Sequence, residues 1–298
     1  MKFKYQSFNF AAPTLQVIEQ ANQIIREYMD DGFVLTLRQL YYQFVARDLM
    51  ANSQRNYKRL GTIISDGRLA GLIDWEAIED RTRNLQINPH WEDPAHIIHS
   101  AAAGYRIDLW ADQPYRVEVW IEKEALAGVV EKPCRDLDVP FFSCRGYVSQ
   151  SEQRKAGVRF LTYRRNNQPV ILLHLGDHDP SGIDMTRDNG DRLDMFSRYS
   201  GAVEVERIAL NMDQIDELDP PPNPAKLTDS RATDYIARFG HNSWELDALE
   251  PRYLDRLIRA KVEHYMDRTR MDAMIERQEA ERQRLYEIAS SLEDWDNG

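Results

Sequence analysis

The heptapeptide PVILLHL at residues 169–175 constrains the fold more than any other stretch of the chain. It has the length of a strand, is rich in branched apolar side chains, and lacks the polar alternation of a strand that faces water on one side. Such a strand belongs in a parallel sheet covered on both faces. Residues 115–121 (YRVEVWI), 139–144 (VPFFSC) and 203–210 (VEVERIAL) read as further strands, with helices at 150–165 and 184–199 between them. Strands and helices in alternation predict an α/β unit built on a parallel sheet. A rigid turn follows at 219–224 (DPPPNP), and residues 254–292 read as a helical tail, dense in both charge signs and expected to be solvated.

The first third has a different period. Leu15, Ile18, Ala21, Ile25 and Met29 recur at helical spacing over residues 13–29, with Pro13 suited to the first turn and Asp30-Asp31-Gly32 as the break. Thr36 and Gln39 form a capping-box pattern that opens a second helix running to about Met50. Asn52-Ser53 opens a third, carrying Tyr57, Leu60, Ile63 and Ile64, and residues 67–83 read as a short hairpin or wing. Three short helices followed by such a segment predict a helix-turn-helix or winged-helix unit. Residues 84–112 are irregular to helical, and His96 with His99 there has no third ligand nearby for a zinc site. The organisation expected is a helical unit at 1–110 and the α/β unit with its tail at 111–298.

With 298 residues and a formal net charge of −11, the chain is not expected to coat nucleic acid by bulk electrostatics. Its cations gather early, at Arg38, Arg47, Arg55, Lys58, Arg59, Arg68, Arg81 and Arg83, while acids dominate later, which fits a basic docking unit joined to an acidic one and equally fits ordinary surface charge. Two cysteines, Cys134 and Cys144, are too few for a disulfide framework. No apolar run approaches the roughly 18 residues of a membrane span, and the start, MKFKYQSFNF, is unlike a secretory signal. A cytoplasmic location is expected.

Ligands of open parallel sheets sit at the carboxyl ends of the strands. One predicted strand runs straight into Glu122, and PVILLHL runs through Gly176 into Asp177-His178-Asp179. If the two strands are neighbours, three carboxylates converge there, and a hard cation such as magnesium (Mg2+) is the simplest reason to cluster them. The spacing equally allows Asp177 and Asp179 to cap the following helix and Glu122 to be an exposed strand end. On the second helix, Leu37, Leu40, Tyr41 and Phe44 share one face, which makes Tyr41 core. Tyr42 lies off that face, with Arg38 one turn before it. A guanidinium beside a phenol favours phenolate and can hold a phosphate oxygen. A Tyr-Tyr pair packed within a helix fits the same spacing.

A strand ending in Glu followed by a strand ending in Asp-x-Asp-Pro-x-Gly resembles the Toprim domain of type II topoisomerases, primases and related nucleases. The order Arg-x-x-Tyr-Tyr, then Toprim, is similar to the topoisomerase VI A subunit (type IIB) and its relative, the meiotic double-strand-break transesterase. Cys144-Arg145-Gly146-Tyr147 and Glu245-Leu246-Asp247-Ala248-Leu249 match that family's intervening loop and late segment. The resemblance implies a winged helix followed by a Rossmann-like Toprim domain and a protein that cleaves double-stranded DNA. Tyr42 would be the nucleophile beside Arg38, Glu122 would serve acid–base chemistry, and Glu122, Asp177 and Asp179 would hold magnesium. Arg38, Arg55, Lys58 and Arg59 would contact DNA. It further implies a homodimer whose two sites each combine one protomer's tyrosine with the other's metal residues. No nucleotide-binding loop occurs, so ATP dependence would need a separate ATPase B subunit, and the length fits a stand-alone A-like protein better. Two alternatives stay open: a Toprim nuclease in which metal-activated water hydrolyses DNA, and a non-catalytic DNA-binding protein.

Overall fold

The computed structural model describes residues 2–78, 88, 90–197, 203–226 and 228–296. Helix α1 (Ala12–Asp30) carries Pro13 in its first turn and buries Ile18, Ala21, Ile24, Ile25 and Tyr28. Helix α2 (Leu37–Ala46) opens on the expected capping box, the Gln39 amide donating to Thr36 Oγ1 at 3.3 Å and the Thr36 amide to Gln39 Oε1 at 2.8 Å. It stops short of Met50, because Asp48 turns the chain with a φ of 54°. Helix α3 (Gln54–Leu69) is capped by Ser53, whose hydroxyl accepts from the Asn56 amide at 3.2 Å. Together with residues 33–35 and 73–78, these helices enclose one apolar core.

The hairpin expected at 67–83 is corrected in part. Residues 67–69 complete α3, a 3-10 turn occupies Trp75–Ala77, and single bridges join Lys4 to Ala70 and Leu35 to Ile78. The local reason is Gly71, whose φ of +74° sends the chain hard against the backbone of Lys4. The remainder of the expected wing, from 79 on, lies outside the described residues.

Helix α4 (Pro94–Gly104) leads to the sheet of the α/β unit. That unit runs through β1 (Arg116–Ile121), α5 (Ala127–Asp136), β2 (Phe141–Ser143), α6 (Gln150–Arg165), β3 (Val170–Leu175), α7 (Pro180–Ser197) and β4 (Val203–Ala209). All four strands are parallel, in the order β2-β1-β3-β4. Every residue of β3 is buried, as the absence of alternation requires. On one face Val117, Val119, Ile121, Ile171, Leu173 and Leu175 pack against α5 and the C-terminal helices. On the other, Trp120, Leu172 and Phe160 form a second cluster with α6 and α7. Full burial of each large aliphatic side chain contributes roughly 1.5–3 kcal/mol. Glu118 points into that second side and forms a paired contact with Arg159 at 2.8 and 2.9 Å.

Beyond β4 come α8 (Met212–Leu218), a short ladder of β5 (Asn223–Pro224) with β6 (Asn242–Ser243), and α9 (Ala232–Phe239) between them. A 3-10 turn at Leu246–Ala248 precedes α10 (Pro251–His264) and α11 (Arg268–Asp296). The expectation of a solvated tail fails for α10: Leu254, Ile258 and Val262 are fully buried against the sheet. Helix α11 packs along α4, with Met271 and Ala289 buried. No helix among the described residues is long and apolar enough to cross a membrane.

Candidate active site

The strand order changes direction between β1 and β3, which lie side by side with Ile121 opposite Leu175. That junction, at the carboxyl ends of the strands, is where an open parallel sheet forms its crevice. Glu122 and Asp177 emerge there from adjacent strands, as the sequence predicts if the strands pair. The Asp177 amide donates to Glu122 Oε2 at 2.8 Å. A side chain on Gly182 would collide with the Asp177 carbonyl and with Glu122 Oε2, so only glycine lets the turn close this tightly.

The three acids do not play one common part. Asp177 Oδ1 accepts from the Leu246 amide at 2.8 Å, and its Oδ2 lies 2.9 Å from Lys123 Nζ. Asp179 Oδ1 accepts from the Gly182 amide at 2.7 Å and the Ser181 hydroxyl at 2.9 Å, so Asp179 caps α7, as one of the two sequence readings allowed. Burial raises the Glu122 carboxyl above the usual range, and the charge of Asp177 raises it further. Burial also raises Asp177, against the pull of Lys123.

Arg207, on β4, braces the turn from beneath. Its Nη2 donates to the carbonyls of Gly176 at 2.9 Å and Asp177 at 2.7 Å, and its Nη1 to Gly182 O and Thr186 Oγ1, both at 2.9 Å. Burial lowers its pKa to about 10, the nearby acids opposing that fall.

The donor chemistry suits a hard cation: carboxylate oxygens at the end of β1 and in the turn between β3 and α7. Glu122 Oε1 and Asp179 Oδ2 have no hydrogen-bond partner among the described residues, whereas both oxygens of Asp177 are taken. Accordingly, no three His, Cys, Asp or Glu side chains among the described residues stand arranged to hold an ion together. Glu122 and Asp179, each with one carboxylate oxygen to offer, are the residues that would hold magnesium, together with waters and substrate oxygens.

Tyr41 is buried, its hydroxyl donating to the Ser53 carbonyl at 3.0 Å, which agrees with its reading as core. Tyr42, although it lies off the face shared by Leu37, Leu40, Tyr41 and Phe44, is also buried, at 6% exposure, and so does not stand on a surface open to DNA as the helical wheel suggests. The reason lies far along the chain. The residues around the 3-10 turn at Leu246–Ala248 pack on α2, and the Tyr42 hydroxyl donates to Glu245 Oε2 at 3.1 Å. Arg38 does meet Tyr42, with its guanidinium 5.9 Å from the ring centre, but it is ion-paired to Glu245 and Asp247. Burial raises the Tyr42 pKa, and Asp247 and Glu245 raise it further against the opposing charge of Arg38. In this arrangement Arg38 does not deliver a phenolate.

Lys123 ties the two halves together, reaching Asp177, Asp247 at 3.0 Å and Glu245 at 3.1 Å. The 244–246 segment is itself pinned to the acid turn, since His178 and Trp244 exchange backbone hydrogen bonds at 2.9 and 3.0 Å. A continuous network therefore runs from Tyr42 through Glu245 and Lys123 to Asp177. Sequence reasoning assigned no role to Lys123, Arg207, Glu245 or Asp247. A lysine directly after a strand-end Glu, an arginine inside a strand, and the match of residues 245–249 to the late segment of the family it resembles were the available signals.

Glu124, beside the strand end, pairs with Arg145 at 3.0 Å. Arg55, Lys58 and Arg59 lie exposed on α3, and His96 accepts from the Glu92 amide at 3.4 Å. No family model matches this chain and no curated protein matches it.

Proposed function

We propose that this chain is a magnesium-dependent DNA-cleaving protein in which Tyr42 attacks a phosphodiester, as its resemblance to the topoisomerase VI A subunit implies. The finer reading of its parts goes with this: a winged helix in the first unit and a Toprim domain in the second. The observation that carries the proposal is the network that joins Tyr42 and Arg38 to the acid turn within one small volume. The exposed cations of α3, Arg55, Lys58 and Arg59, give the DNA backbone a surface to rest on.

In the reaction, the Tyr42 oxygen bonds to phosphorus and the bond from phosphorus to a deoxyribose oxygen breaks. The phenol proton leaves to a base, and the departing oxygen takes up a proton and ends as a hydroxyl. Glu122 is the residue that the resemblance assigns to this proton traffic. Arg38 holds a non-bridging phosphate oxygen, and Asp179 fixes the start of α7. Bound magnesium would neutralise charge on the phosphate and the departing oxygen. Tyr42 has first to be released from Glu245, since it begins buried and protonated.

That same burial favours one second reading, a nuclease in which water attacks and Tyr42 is only packing. Incubating the protein with supercoiled DNA and magnesium, then denaturing, separates the two. Transesterification leaves DNA covalently bound to protein, and Tyr42→Phe abolishes the adduct. Cleavage without an adduct, retained in Tyr42→Phe, would establish the nuclease instead.

A further inference from the structure

Three donors converge on a single oxygen of Glu245. Arg38 Nη2, the Tyr42 hydroxyl at 3.1 Å and Lys123 Nζ at 3.1 Å all reach Oε2, whereas among the described residues Oε1 has only Asn223 at 3.5 Å. The two acids of this cluster are not equivalent. The Asp247 side chain is 0% exposed and grips both Arg38 Nε and Lys123 Nζ, while that of Glu245 is 28% exposed. Turning Glu245 outward would leave both cations oriented by Asp247 and still aimed at the vacated point. A guanidinium, an ammonium and a hydroxyl directed at one anionic oxygen make a donor set for phosphate. Beside that point lies a cleft of about 330 Å³, walled by Arg38, Tyr42, Ser53, Gln54, Tyr57 and Asn223.

We propose that Glu245 Oε2 holds the place of a phosphodiester oxygen, and that Arg38, Lys123 and Tyr42 form a phosphate-binding site from which backbone phosphate of DNA displaces the Glu245 carboxylate. This deepens the proposed function and rests on its placing of Arg38 and Tyr42 against DNA. It gives Lys123 a binding role and makes Glu245 a removable internal competitor.

The test measures binding of a short fluorescent duplex without divalent ions, so that no chemistry intervenes. Glu245→Gln removes the competing charge and should bind about 10-fold tighter at 0.1 M salt. Lys123→Met should bind about 10-fold weaker and lower the salt dependence by roughly one phosphate contact. Inorganic phosphate should raise the melting temperature of Glu245→Gln more than that of the wild type, which separates a site for free phosphate from one that needs the DNA backbone. Unchanged or weaker DNA binding by folded Glu245→Gln overturns the proposal, as does a Lys123→Met variant with wild-type affinity. If the Gln variant does not fold, Glu245→Asp, which draws the carboxylate back by one methylene, must bind DNA tighter than wild type or the proposal falls. Tighter binding by Glu245→Gln with no covalent adduct under magnesium would keep the phosphate site and reject the tyrosine chemistry. An adduct with unaltered Glu245→Gln binding would do the reverse.

Discussion

Asp177 and Tyr42 are both more than nine-tenths buried and both hydrogen-bonded, yet they are held by different kinds of contact. Asp177 is placed chiefly through main-chain groups: its own amide on Glu122, the Leu246 amide on its side chain, and Arg207 binding the carbonyls of Gly176 and Asp177, with the Lys123 ion pair added to them. Tyr42 is placed by side chains from the other end of the molecule, through Glu245, with Arg38 beside it held by Glu245 and Asp247. A geometry set through main-chain groups is hard to exchange. One set by ion pairs between distant segments can be exchanged for another partner, which is what a phosphate-binding site needs.

This contrast can be broken most forcefully at Arg207. Replacing it with methionine takes the guanidinium donor from the carbonyls of Asp177 and Leu210 and one of two donors from that of Gly176, which keeps the Leu210 amide. Loss of buried hydrogen bonds to a charged group of this kind should cost about 3–5 kcal/mol in urea unfolding. A cost below about 1 kcal/mol would mean that the main chain alone keeps the acid turn in place. On the tyrosine side the corresponding comparison is internal. Asp247→Ala removes a fully buried carboxylate shared by two cations and should cost about 3 kcal/mol, whereas Glu245→Gln, at a partly exposed side chain, should cost about 1 kcal/mol or less. Equal costs for the two would remove the distinction between a fixed anchor and a displaceable carboxylate.

The same contrast explains what could be read from the sequence. The run at 169–175 announced a strand buried on both faces, and the chain after it announced the acids, because strand ends and turn glycines are local features. Thr36 with Gln39 marked the start of α2 for the same reason, and α6 fell on residues 150–165 as its pattern indicated. The burial of Tyr42 was not legible. A helical wheel knows the face of a helix but not which distant segment will cover it, and Glu245 lies 203 residues away in sequence. Helix α10 misled in a similar way: its many charges suggested solvation, while Leu254, Ile258 and Val262, spaced at four, formed the stripe that reaches the core. Within the acid turn, the capping role of Asp179 was visible as an alternative, but the spacing gave no means to choose it.

Acid should weaken the fold through the sheet beneath the acid turn. His174, on β3 directly below the acid turn, is fully enclosed against Thr186, and burial lowers its pKa to about 3, with Arg207 adding to the fall. An unfolded histidine titrates near 6.5. The folded state therefore binds fewer protons between these values, so the stability that neutral His174 provides is complete above about pH 6.5 and is lost as the pH falls toward 3. Moving from pH 7 to pH 4.5 should cost on the order of 2–3 kcal/mol through this residue. His174→Gln should flatten that part of the unfolding profile, and an unchanged slope would show that other groups carry it.

The smallest signal addresses how the two regions combine. The resemblance implies sites shared between protomers, whereas in the single chain Tyr42 adjoins its own acid turn through Glu245 and Lys123. Mixing Tyr42→Phe with Asp177→Ala, each inactive alone, distinguishes the arrangements if subunits exchange to give mixed dimers. With shared sites, each mixed dimer carries one site with both lesions and one intact site. Since half of randomly paired dimers are mixed, about one quarter of the wild-type sites return, and they act on one strand only. Nicked rather than linear plasmid should then appear, with an adduct to the Asp177→Ala chain, which supplies the intact tyrosine. With self-contained sites, every chain carries one lesion and nothing returns. A silent mixture would mean that the Glu245–Lys123 bridge is the working connection between tyrosine and acid turn; nicking would mean that the bridge holds each tyrosine only until DNA and a partner chain take it over.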